Sequence, residues 1–172
     1  MIQDISPYRL DTAYRGTAPV PDDCFFSFRG EDVLLRDMGD GHRSLPSFRD
    51  LGHPAGKMES RAVFLFRAGR EPVYLLGQEV NGCRGLGYFP ICELKDVLPE
   101  WVFFAGATAL HLSRWYEGNR YCGRCGGRME RKPGQRTLAC PECGNTVYPG
   151  IAPVVMVAVT DGDRLLMTKY AD

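Results

Sequence analysis

The sequence predicts an α+β fold: an N-terminal antiparallel sheet, one connecting helix, a four-cysteine unit and a C-terminal β-hairpin. Three observations carry this reading. Short apolar runs broken by Gly-rich turns fill the stretch from Cys24 to Leu76. Helical periodicity is convincing at one place, residues 99–118. Two Cys-x-x-Cys pairs then stand between Cys122 and Cys143. The expected divisions are 1–98, 99–118, 119–149 and 150–172.

Taken in order, CFFSFRGEDVLLR at 24–36 predicts two short strands around a Gly-Glu-Asp turn. Residues 41–61, rich in Gly, Pro and polar side chains, predict mainly loop. A hairpin follows, with AVFLF at 62–66 and PVYLL at 72–76. NGCRGLGY at 81–88 predicts a second glycine-rich loop. Its Gly82-x-x-Gly85-x-Gly87 spacing resembles a nucleotide-binding loop, but Pro90 follows where a helix is required, so a plain loop is the better reading.

Pro99 suits the first turn of the helix, Asp96 and Glu100 its positive end, and Gly118 its stop. Trp101, Phe104, Ala105, Thr108, Leu112, Trp115 and Tyr116 follow the spacing of one helical face. Val102, Phe103, Gly106, Ala109 and Leu110 fill much of the rest, so a packing spine wrapped on most sides is expected. After the cysteines, Ile151 to Thr160 is apolar on both strand faces, which predicts a central strand. Asp161-Gly162 then predicts a two-residue hairpin leading into Arg164 to Thr168. A central strand needs neighbours, so this part is expected to begin a further domain.

Composition narrows the function. The 172 residues carry 21 basic and 21 acidic side chains, so no overall field favours nucleic acid or an anionic membrane. Residues 119–148, however, hold six basic and two acidic side chains, net +4, on the cysteine segment itself. No apolar run approaches a membrane span, and Met1 to Asp4 lack the features of a signal peptide; the expected compartment is the cytosol. Seven cysteines, an odd number, argue against a disulfide framework. Cys24, Cys83 and Cys92 lie among apolar neighbours and read as small hydrophobes. His42, His53 and His111 show no catalytic spacing.

Cys122-x-x-Cys125, fourteen residues, then Cys140-x-x-Cys143 is the spacing of a four-thiolate tetrahedral zinc site. Gly123, Gly126 and Gly144 are expected to supply positive-φ backbone to the two knuckles. Pro133-Gly134 sits between two short strand candidates, and together these make a zinc ribbon. A thioredoxin-like pair would be single and at a helix start, and two disulfides would suit a secreted chain. Four thiolates leave no coordination position for water, so the ion is structural. The basic residues either offset the thiolate charge or face a phosphate, and Tyr121 and Tyr148 could stack on a base.

The helix AGATALHLSRWYEGNR, then YCGRCG, CPECG and VYPGIAPVVMVAV, resembles the NADH pyrophosphatase branch of the Nudix hydrolases. The resemblance runs from about residue 62 to 172 and is most specific in the ribbon and the Tyr-Pro-x-Ile-x-Pro stretch. It implies an N-terminal rudimentary, non-catalytic Nudix-like domain, a zinc ribbon and a catalytic Nudix domain. It further implies cleavage of the pyrophosphate of NADH or NAD, in some members on NAD-capped RNA, by a homodimer. The zinc ligands implied are Cys122, Cys125, Cys140 and Cys143. Tyr148 matches a tyrosine that contacts substrate; the competing reading is an aromatic packed between ribbon and following strand. Gln135 stands where the family can have glutamate, and no role is carried to it.

One departure is decisive. The Nudix box needs an Arg-Glu followed by a Glu-Glu pair, and this chain contains no Glu-Glu. Its Arg70-Glu71 runs into Pro-Val-Tyr-Leu. Those carboxylates hold the Mg2+ or Mn2+ that clamps pyrophosphate and activates water. The expectation is therefore the non-catalytic N-terminal and ribbon portion of such a hydrolase, with no catalytic residue and no hydrolysis of its own. Its expected tasks are dimerisation and support of the substrate site. A stand-alone ribbon module that binds RNA or a protein partner is the alternative.

Overall fold

The computed structural model describes residues 4–14, 17–39, 41–51, 61–95, 97–151 and 153–168. Among the described residues, thirteen short strands and one α-helix form an α+β architecture. The strands are β1 (Leu10–Asp11), β2 (Cys24–Phe26), β3 (Phe28–Arg29), β4 (Asp32–Asp37), β5 (Arg43–Ser44), β6 (Ala62–Ala68), β7 (Glu71–Leu76) and β8 (Leu86–Pro90). They continue as β9 (Glu130–Arg131), β10 (Leu138–Ala139), β11 (Thr146–Val147), β12 (Thr160–Asp161) and β13 (Arg164–Leu165), with α1 at Glu100–Gly118. Expectations placed on residues 52–60, including His53, and on Asp96 lie outside the described residues.

The hairpin expected at 62–76 is β6–β7, turned at Gly69 with φ 64°. It forms the centre of a sheet ordered β1-β6-β7-β2. One pairing in that sheet departs from the antiparallel expectation: β2 lies parallel to β7, Phe25 opposite Tyr74. Strand β2 is reached before the hairpin in sequence, so the chain crosses over between them rather than turning back directly. The second sheet is built on β4, which pairs β3, β5 and β8. Strand β8 corrects the loop expected at 81–88: Leu86 to Pro90 pair with Arg36 to Asp32. The glycines that looked loop-forming bracket the turn before it, and Gly85 alone of that stretch's last two glycines has positive φ, 79°.

Alternation along the strands divides the interior. Phe26, Val33, Leu35, Val73 and Leu75 face one cluster together with the helix, whereas Phe25, Leu34, Phe64, Tyr74 and Leu76 face a second. The parity breaks once. Register skips Leu65 between Phe64 and Phe66, and Leu65 and Phe66 both turn to the helix-side cluster. That is a β-bulge, one residue of β6 without a partner across β7.

Helix α1 starts after Pro99 and ends at Asn119, whose backbone N–H and Nδ2 both donate to the Trp115 carbonyl. Its buried face is Val102, Ala105, Gly106, Ala109 and Leu112, with Ser113 and Trp115. A Cβ on Gly106 would lie 3.2 Å from Ile91 Cδ1 and 3.4 Å from Phe26 Cε1, so the small residue lets the helix sit close. The wrapping is less complete than the all-round apolar pattern implies: Trp101, Phe103, Phe104 and Leu110 are half-buried and His111 and Arg114 exposed. Large rings need not be fully covered to be well packed, and Trp101 stacks on Tyr8 at 5.1 Å.

The C-terminal hairpin forms as expected around Gly162, φ 61°, with Thr160 opposite Leu165 and Asp161 opposite Arg164. The long central strand does not. Of the expected run, Thr160 alone among the described residues is strand, and Val154, Val155, Met156 and Val157 are exposed. A strand apolar on both faces is stabilised by neighbours on both edges, and among the described residues β12 and β13 pair only with each other.

Candidate metal centre and the ribbon surface

Two backbone loops of the same design present the cysteines. In the first, the Cys122 N–H donates to the Gly127 carbonyl at 2.7 Å and the Gly126 N–H to the Cys122 carbonyl at 2.8 Å. In the second, the Cys140 N–H donates to Asn145 at 2.8 Å and the Gly144 N–H to Cys140 at 3.0 Å. The chain can close each loop because Gly126 and Gly144 take φ of 78° and 71°. Gly123 does not belong with them, since its φ is not in the left-handed region. The equivalent place in the second loop is Pro141, whose ring fixes negative φ, so the design never required glycine there.

A three-stranded sheet, β11-β10-β9, holds the loops at a fixed separation. Leu138 lies opposite both Arg131 and Val147, and Ala139 opposite Glu130 and Thr146. The turn at Pro133-Gly134 closes with Lys132 N–H on the Thr137 carbonyl at 3.0 Å and Gly134 at φ 74°. Behind the sheet, Leu138, Met129, Cys122 and Cys140 pack on Trp115 of α1. The ribbon thus shares a small core with the helix.

The four sulfurs of Cys122, Cys125, Cys140 and Cys143 lie within 4.8 Å of one another. Cys122 and Cys143 are 3.6 Å apart, Cys125 and Cys140 3.4 Å. A tetrahedral ion with metal–sulfur bonds of about 2.3 Å sets its sulfurs about 3.8 Å apart, so the cluster has the size of a zinc site. Outer donors are in place as well. The Arg124 N–H and Asn145 Nδ2 point at the Cys122 sulfur from 3.4 and 3.5 Å. Among the described residues this is the one group of three or more His, Cys, Asp or Glu side chains so arranged.

Electrostatics of the bare sulfurs show why a cation belongs there. Amide N–H groups of Arg124 and Cys125 bring the Cys122 thiol down to about 6. The Gly127 amide acts to lower Cys125 too, but hydrogen bonds shared with the Cys140 and Cys143 thiols push it up to about 12. The first proton leaves easily and a later one very reluctantly, because thiolates crowd together. A divalent ion removes that penalty and releases all four protons.

Around the centre, Arg124, Arg128, Arg131 and Lys132 are exposed, and no carboxylate among the described residues pairs with them. Tyr121 and Tyr148 are 67% and 62% exposed, so Tyr148 is not packed between ribbon and following strand. A cleft of about 400 Å3 opens where sheet, helix end and ribbon meet, with Gly77, Tyr116, Arg120, Tyr121, Arg128 and Met129 on its walls. Tyr148 is not among its lining residues. His111 accepts a structural role: its Nε2 lies 3.0 Å from the Gly150 carbonyl, which ties the ribbon's exit to the helix. Neither that contact nor Asn145 is legible from local spacing, since one needs the Gly150 carbonyl and the other the Cys122 sulfur, brought in from 39 and 23 residues away.

Residues 119–148 match the NADH pyrophosphatase zinc ribbon domain family. That stretch, 30 of the 172 residues, is similar to the zinc ribbon of NADH pyrophosphatases. Similarity to full-length proteins extends beyond the ribbon. A Deinococcus radiodurans protein described as NAD-capped RNA hydrolase NudC is 32% identical over 142 residues, covering 83% of this chain and 47% of that protein. Proteins of the same description from Stutzerimonas stutzeri and Pseudomonas fluorescens Pf-5 are 35% and 36% identical, each over 58% of this chain and 36% of theirs. The chain therefore spans about half or less of the length of these NudC relatives. The ribbon match and the four converging sulfurs together support a structural Zn2+. No helix is long and apolar enough to cross a membrane among the described residues.

Proposed function

We propose that these residues form the non-catalytic, ribbon-bearing part of a homodimeric NADH pyrophosphatase-like hydrolase, in which Cys122, Cys125, Cys140 and Cys143 hold one Zn2+. The observation that carries this reading is the ribbon match on a four-sulfur cluster, in a chain similar to NAD-capped RNA hydrolases but lacking the Glu-Glu of a Nudix box. The zinc folds the ribbon and takes no part in chemistry, because all four positions are thiolates. Mg2+ or Mn2+ acts only where a Nudix box supplies carboxylates. The N-terminal and ribbon portion together serves dimerisation and supports the substrate site. Tyr148 offers an exposed ring to the base or nicotinamide of NAD(H), alone or as an RNA cap. The setting is cytoplasmic.

The test uses the 172-residue chain with Mg2+ and Mn2+ supplied. Expected are one zinc per chain, a sedimenting mass of twice 19.2 kDa, and no release of mononucleotides from NADH, NAD or capped RNA. NADH fluorescence should report weak binding that Tyr148→Ala reduces several-fold. Cleavage by this chain would overturn the non-catalytic reading. Steeply salt-dependent RNA binding with no preference for the NAD cap would favour a stand-alone RNA-binding ribbon instead.

A further inference from the structure

Arg136 belongs to the ribbon's positive segment by sequence, but the structure removes it from the basic face. Its Nη2 donates to the carbonyl of Leu65 in β6, 71 residues away in the chain. Leu65 is the residue that the β-bulge leaves without a partner on β7, and β1 reaches only Arg67 and Ala68 on the other edge. The guanidinium also stands 5.9 Å from the Tyr14 ring centre and within electrostatic reach of Tyr116. Burial pulls its proton affinity down, and its Nε is enclosed with no acceptor among the described residues. A guanidinium is not held in such surroundings by its own preference, since it gives up solvation for one backbone acceptor. Something must hold it there.

What holds it is the ribbon. Arg136 precedes β10 by one residue, Thr137, itself 2% exposed and paired through its carbonyl with Lys132. Cys140, a sulfur of the metal cluster, closes the same strand segment. We infer that Arg136 is a latch by which the zinc-folded ribbon docks on the bulge of β6, so that metal occupancy fixes how the ribbon sits on the N-terminal sheet. The inference rests on the zinc reading above and goes beyond it: the metal orders not only its own thirty-odd residues but also a site in the neighbouring sheet. The bulge and the arginine are two halves of one device. The bulge leaves Leu65 without a partner on β7, and the ribbon supplies a charged donor to its carbonyl. The exposed faces of Tyr121 and Tyr148 are then oriented relative to the sheet by zinc.

The test is amide hydrogen exchange on the full chain, zinc-loaded and after removal of zinc by a strong chelator, for wild type and Arg136→Met. Met keeps an aliphatic stem and loses the donor. In wild type, removing zinc should speed exchange in residues 62–76 about tenfold, as well as in 119–148, because a charge-assisted bond to a backbone carbonyl is lost. Zinc-loaded Arg136→Met should still bind one zinc and protect its ribbon, yet exchange in 62–76 at the faster rate, with no further change on chelation. Exchange in 62–76 that ignores zinc in a wild type holding one zinc would overturn the latch alone. A wild type that binds no zinc would overturn the zinc reading and the latch's dependence on it together. The wild-type arm decides even if the variant fails to fold.

Discussion

Replacing Leu138 by alanine tests whether the ribbon is held by metal alone or by metal and core. Leu138 is 5% exposed and opens β10, the central strand of the ribbon sheet, opposite Arg131 on one side and Val147 on the other. It packs with Trp115, Met129, Cys122 and Cys140 in a cluster of five buried residues. Truncation removes three carbons, about 2.4 kcal/mol at about 0.8 each. A rigid site would add a large cavity penalty, but Leu138 and Met129 border the cleft beside the ribbon, and the flexible Met129 can close in. The expected cost is therefore about 2–3 kcal/mol, near the low end for buried Leu→Ala.

Because metal binding and ribbon folding are one equilibrium, that cost should appear as zinc affinity weakened about 30- to 150-fold. Competition against a chromophoric chelator at fixed pH measures it. Leu165→Ala, at a 52% exposed hairpin position, serves as the control and should shift affinity less than about threefold. A Leu138→Ala chain whose zinc affinity lies within threefold of wild type would refute the reasoning. The small cluster on Trp115 would then be incidental to the ribbon, with the four thiolates sufficient by themselves.

Two further outcomes follow from the backbone and from buried protons. Gly126→Ala and Gly144→Ala should each lower the unfolding free energy of the ribbon by about 1–2 kcal/mol, since both are left-handed and no steric clash confuses the reading. Gly123→Ala should fall within about 0.5 kcal/mol of wild type; an equal loss at Gly123 would mean the knuckle geometry is misassigned. Burial raises the pKa of Cys24, Tyr74 and Tyr116, so each stays protonated in the folded chain after it would ionise in the unfolded one. Their contribution is full below the unfolded values of 9.0 and 10.0 and is lost as pH rises through the folded ones. Urea midpoints should thus be flat from these groups up to about pH 8.5 and fall beyond it. Tyr116→Phe should remove part of the fall, and an unchanged slope would refute its share.

Local chemistry carried most of what could be known in advance. The cysteine spacing, the turn at Pro133-Gly134 and the hairpins at 62–76 and 160–165 depend on residues a few positions apart, and each forms where the sequence puts it. The helix was legible for the same reason, as was its Pro99 start. Its buried face was not. An all-round apolar pattern cannot say which side meets Ile91 and Phe26, whereas Gly106 fits there because tertiary packing leaves it little space. Leu86 to Tyr88, the first part of β8, reads as loop in sequence because glycine lowers strand propensity, yet β4 supplies a partner and the ladder outweighs it.

Around the candidate centre the same division holds. The cluster of four sulfurs is legible from spacing alone, because each loop is closed by bonds within six residues. The role of Arg136 was invisible, and composition placed it with the arginines that face solvent. Only the fold brings it to Leu65, and only a one-residue irregularity in β6 gives it a carbonyl to meet. The sequence by itself determined that a metal-sized cluster of thiolates would form, because that is a matter of short loops and two glycines. The tertiary structure decided what the cluster is attached to, because a contact across 71 residues depends on how two sheets and a helix are stacked.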